Sequence, residues 1–250
     1  MVNVFSSLGL TGGLTVLFVF SCFMGSVIQS VSGFGFAIFM MSVLPNFLPS
    51  SVSTAVSGLL SLSTNTANTV RYRRFIDWKQ IVFPLLGYFL ASLIVVAFFA
   101  GKSDAVLKRV LGLVLIVLSI YFFFFSSRIH IQCNARNGAM AGVLSGILGG
   151  LFSMSGPPMV IYMLSAGKDK ESYMGTIQCY FFLTNIYTVV LRAVKGLITL
   201  QVIELSLLGI LFSFIGFYIG SKILSRMNGE MMKKIIYAFL AVSGLNMLLR

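Results

Sequence analysis

Two short clusters interrupt apolar runs without adding charge: Ser32-Gly33-Phe34-Gly35-Phe36 and Ser153-Met154-Ser155-Gly156-Pro157-Pro158. Glycine and proline end helices, and in lipid a broken helix is tolerated only where protein or a water-filled cavity covers the freed peptide groups. A half-helix that restarts after Ser32 or Ser155 would use that serine as its cap, and proline suits its first turn. Its free N–H groups and the positive end of its dipole would then favour an anion. The candidate residues are Ser32, Gly33, Phe34 and Gly35 at the first break, and Ser155, Gly156 and Pro157 at the second. Pro157 and Pro158 donate no hydrogen bond, so the two breaks are expected to contribute unequally.

Side-chain amides within apolar runs extend the list: Gln29, Asn65, Gln178 and Asn185. Amides can donate to an oxyanion without a counter-charge. Their other use is interhelical hydrogen bonding, worth about 1 kcal/mol each in membrane bundles. Arg71 and Arg192 end apolar runs, and as an anion funnel they would raise local anion concentration at each mouth. Snorkelling to lipid headgroups is the alternative for both. All six acidic residues fall in or near connectors, which argues against cation transport through a buried carboxylate. The one histidine, His130, sits in a connector, and neither HExxH nor GxSxG occurs, so no enzyme activity, metal or cofactor is expected. Gly25, Gly58, Gly87, Gly142, Gly146 and Gly216 read as close-packing positions.

The elements that must position these residues are long apolar segments. Hydrophobic residues make up 58% of the 250 and charged ones 10%, with a mean hydropathy of +0.98. A soluble domain is about a quarter charged, so lipid is the expected solvent and an all-α membrane protein the expected class. Eight segments lie near 11–44, 50–70, 80–100, 105–126, 137–165, 172–194, 202–224 and 230–249. The net charge of +12 falls in the connectors, where it anchors to lipid headgroups rather than nucleic acid.

The first and fifth segments are too long for one straight crossing, and each contains one of the breaks. Placing Ser32-Gly33 over Ser155-Gly156 also sets Arg71 opposite Arg192 and Lys108-Arg109 opposite Lys233-Lys234. Internal duplication of this kind marks secondary transporter folds. The expected organisation is a single membrane domain of two homologous halves, 1–126 and 137–250, each beginning with a broken or re-entrant helix. If the broken segments fold back, twelve of the 18 Lys and Arg share one side of the membrane. The positive-inside rule then has a bias to act on, and the halves become inverted repeats with the N-terminus outside.

The clusters Ser32-Gly33-Phe34-Gly35-Phe36, with Pro45 downstream, and Gly149-Gly150 through Pro158 resemble the paired glycine-rich motifs of the sulfite exporter TauE/SafE family. That resemblance implies a multi-pass protein of the cell inner membrane that moves sulfite, sulfonates such as sulfoacetate, or related sulfur or carboxylate anions. Many members carry glycines where this chain has Phe34, Phe36, Pro157 and Pro158, which bears on substrate identity. A passive anion channel and a structural subunit of a membrane complex are the competing functions. The expected partners are a small anionic substrate and membrane lipids, with no nucleic acid; a homodimer stays open.

Overall fold

Lipid leaves backbone amides no partner but their own segment, so long apolar runs become helices. The computed structural model describes residues 12–99, 103–124, 132–166, 169–223 and 240–249, with backbone alone at 31, 32, 124 and 223. Its helices are α1 (Gly12–Ser32), α2 (Phe36–Val43), α3 (Ser50–Tyr72), α4 (Trp78–Phe99), α5 (Asp104–Phe124), α6 (Ala135–Phe152), α7 (Gly156–Leu164), α8 (Lys170–Val194), α9 (Leu200–Ile223) and α10 (Leu240–Leu249). The eight expected segments map onto these in order, and both broken segments are split as expected. Residues 230–239, with Lys233 and Lys234, lie outside the described residues, as does His130.

Five helices are long and apolar enough to cross a bilayer: α1, α4, α5, α8 and α9. Their outward residues are bare hydrocarbon, for example Leu86, Leu90 and Ile94 on α4 and Leu207, Leu211 and Phe214 on α9. At 23 residues α3 is also long enough, but it is rich in Ser, Thr and Asn. Ser53, Ser57, Ser61, Thr64, Asn65 and Asn68 are all buried. Such a helix can sit in lipid only if other helices cover its polar face.

That cover includes α8, which packs along α3, with α9 against its other flank. Gly175 abuts the Tyr72 carbonyl, whereas Gly58 abuts Val189 and Arg192, so the two helices run antiparallel. The tightest pairs are α4 with α6 and α9 with α1. Both use glycine seams. A Cβ on Gly142 would fall on the Pro84 carbonyl, and one on Gly216 would fall 3.0 Å from the Phe23 Cα. Gly87 and Gly146 likewise face backbone, which fits the close-packing role expected of them.

Both broken segments are helical hairpins. In the second, the Tyr162 hydroxyl donates to the Asn134 carbonyl and the Cys133 thiol to the Tyr162 carbonyl, which puts the end of α7 beside the start of α6. In the first, Gly25 packs against the rings of Phe36 and Phe39, and Phe18 shares a core cluster with Met40, Leu44 and Leu48. Each chain therefore returns toward the side from which it came.

The spacing between the two breaks differs from the sequence alignment by three residues. The breaks open at Gly33 and Ser153 and close at Phe36 and Gly156, a displacement of 120 rather than 123. The same displacement sets Thr64-Asn65 over Thr184-Asn185. The Ser-Gly match caused the shift: Ser32 ends the helix before the first break, whereas Gly156 begins the helix after the second, with Pro157 and Pro158 in its first turn.

Candidate functional site

The hairpin tips meet at one cavity. It is lined by residues 34–38 of the first tip, 153–156 of the second, and Gln29, Ser61, Asn65, Phe181 and Asn185. Its volume is about 30 Å³, enough for one or two waters. Ser61 and Asn65 lie one turn apart on α3, and Phe181 and Asn185 one turn apart on α8. The displacement of 120 carries one pair onto the other, so the same two positions of each half face the cavity.

The first tip turns on two glycines, Gly33 at φ 75° and Gly35 at φ 104°. Side chains rarely adopt this left-handed region, which explains the glycines. Gly35 is the residue that caps α2, and no side chain bonds there. The expected cap, Ser32, is instead the last residue of α1, and its side chain lies outside the described residues. The first bond into α2 runs from the Phe39 N–H to the Gly35 carbonyl. The amides of Phe36, Ala37 and Ile38 precede it, outside the hydrogen-bond ladder of α2, and these residues line the cavity.

The second tip turns at Ser153, the one non-glycine with positive φ among the described residues. Ser155 caps α7 by position but makes no side-chain capping bond; its carbonyl accepts from the Ser145 hydroxyl. With Pro157 and Pro158 next, Gly156 is the only residue of the first three in α7 to carry an N–H. The tips therefore contribute unequally, as the prolines predicted. Pro157 itself is buried and does not line the cavity.

Among the expected amides, Gln29 donates to Asn65 Oδ1 at 2.6 Å, leaving the Asn65 NH2 for other partners. Asn185 lines the cavity opposite. Gln178 does not reach it: fully buried, it donates to the Gly33 carbonyl at 2.6 Å and braces the first tip from α8. The Ser61 hydroxyl is buried, lines the cavity and has no hydrogen-bond partner. Sequence reasoning missed Ser61 and Phe181, although each sits four residues before a candidate asparagine and so on the same helix face.

The two arginines separate. Arg71 is exposed at the end of α3, with its guanidinium over the Tyr72 ring. Arg192 is not at an open mouth: it is 3% exposed and points inward. Its guanidinium donates to the Ser153 hydroxyl at 2.6 Å and to the Gly149 and Gly150 carbonyls at 3.1 and 2.9 Å. The end of α6 carries partial negative charge, and although the Gly149 carbonyl already accepts from the Ser153 N–H, it and the Gly150 carbonyl draw the side chain in.

Long apolar helices around a small cavity, where Gln29, Ser61, Asn65 and Asn185 stand beside Phe34, Phe36 and Phe181, define a multi-pass membrane protein. The chain belongs to the sulfite exporter TauE/SafE family, whose model matches residues 17–247; this is a family of membrane transporters. It is similar to the probable sulfite/organosulfonate exporter TauE of Cupriavidus necator, 23% identical over 141 residues. That match covers 54% of this chain and 55% of the relative, about half the length of each. No solved structure matches it.

Proposed function

We propose that the chain is a secondary transporter of small sulfur oxyanions, sulfite or sulfonates, held between the two hairpin tips and released by alternating access. One observation carries this reading: the restarting ends of α2 and α7, one from each half, line the same cavity. Helix N-termini favour anions, and the unpartnered Ser61 hydroxyl adds a donor. The family and the name of the Cupriavidus relative support the substrate class.

The antiparallel α3 and α8, which correspond between the halves, support inverted repeats. On this arrangement the basic connectors, 71–80 among them, face the cytoplasm of a plasma membrane. A cysteine replacing Arg73 is then labelled from inside the cell; labelling from outside refutes the orientation.

Sulfite and methanesulfonate flux in proteoliposomes tests the function. A carrier saturates and shows counterflow, and Gly35→Leu abolishes flux in a protein that still elutes as a folded species. Conductive flux without saturation points to a channel, and unchanged flux in Gly35→Leu removes the site.

A further inference from the structure

We propose that Arg192 supplies the one formal charge of the cavity among the described residues, so that a singly charged anion balances the site and a doubly charged one does not. This rests on the transport reading above. No residue lining the cavity carries a formal charge, whereas the Arg192 guanidinium is one hydrogen bond behind it through Ser153, which does line it. Its hydrogen-bond partners are a hydroxyl and two carbonyls, none of them a carboxylate, so among the described residues the cation has no formal counter-ion. Buried charges are normally paired. A guest anion would complete the pair.

The helix ends around the cavity do not add to that charge. Each tip brings the positive end of one half-helix, α2 or α7, and the negative end of the helix before it, α1 or α6. At about half a charge per end these four sum to no net charge, so the N–H groups of α2 and α7 orient a guest by hydrogen bonds and Arg192 supplies the formal charge. One negative charge neutralises the site; a second would be buried unpaired.

Arg192 acts through Ser153, which makes it a positioning residue. The Ser153 hydroxyl accepts from the guanidinium and donates to the Thr54 carbonyl at 3.0 Å. Turned from Thr54 toward an anion, the same hydroxyl donates to it while still accepting from Arg192. The anion then lies two hydrogen bonds from the guanidinium, about 5–6 Å. At an effective dielectric constant of about 20, that attraction is worth on the order of 100-fold in affinity.

The test uses the full chain in proteoliposomes, with uptake of labelled methanesulfonate competed by unlabelled methanesulfonate or by sulfate, and KM and kcat separated. In the wild type, methanesulfonate competes at least about tenfold better than sulfate. Arg192→Gln raises KM for methanesulfonate on the order of 100-fold and weakens competition by sulfate further still, because a dianion loses twice the attraction, while Arg192→Lys restores most of the affinity. Equal competition by sulfate in the wild type overturns the inference whether or not Arg192→Gln folds, and so does a folded Arg192→Gln with unchanged KM. Either result leaves the transport reading standing. Wild-type protein with no uptake of sulfite or of either probe overturns both.

Discussion

Replacing Asn65 by Leu separates what the cavity amide does for stability from what it does for transport. Asn65 is 3% exposed, and its Oδ1 takes the Gln29 amide proton at 2.6 Å. Leucine cannot accept, so Gln29 is left with a buried donor, a loss of about 1–3 kcal/mol in general. Hydrogen bonds in membrane bundles average nearer 0.6 kcal/mol and reach about 1.7. The adjoining cavity of about 30 Å³ can also admit one water to the stranded amide. The expected fall is therefore about 1–2 kcal/mol. Removing the other partner as well, in Gln29→Met with Asn65→Leu, leaves nothing unsatisfied and should recover most of the loss, a coupling of about 1 kcal/mol. Transport should behave differently. The Asn65 NH2 is a donor presented to the cavity, so both variants lose it and both should show at least about tenfold lower flux, equivalent to about 1.4 kcal/mol. The assay pairs reversible unfolding in detergent with sulfite flux in proteoliposomes. A double variant no more stable than the single one would refute the coupling, and flux that recovers together with stability would refute the binding role.

Gly142→Leu should cost more than about 3 kcal/mol, because its side chain would meet the Pro84 backbone, which cannot rotate away. Gly13→Leu is the control, since nothing lies within 4 Å of a Cβ there; equal losses in thermal unfolding would refute the glycine seam. Asp169 begins α8, and its carboxylate accepts the Ser172 N–H at 2.9 Å and hydroxyl at 2.8 Å. These bonds, the backbone one first, hold its pKa below 3.8. A carboxylate depressed on folding stabilises at pH above its unfolded value and loses that contribution as pH falls through the folded one. The gap in thermal midpoint between wild type and Asp169→Ala should accordingly be constant near neutrality and close as the pH falls through the depressed folded-state value; a gap unchanged in acid would refute the cap.

Local chemistry made much of this protein legible from sequence. Lipid as solvent, the positions of the apolar helices and the two interruptions follow from hydropathy and from glycine and proline, whose effects act within a turn or two. The poorer donor set of the second break follows as directly, because Pro157 and Pro158 lack N–H groups wherever they are placed. What lies around those points depended on contacts between distant segments. The fold-back of α7 rests on Tyr162 meeting Asn134, and the inward turn of Arg192 rests on the end of α6 lying beside α8. Neither contact leaves a mark in local composition, and an arginine ending an apolar run reads the same whether it faces headgroups or a buried helix terminus. The sequence thus determined that two helices would break and what each break could donate. Only the tertiary structure decided that they meet at one cavity, which asparagine pair faces it, and that a buried cation stands one hydroxyl behind its wall.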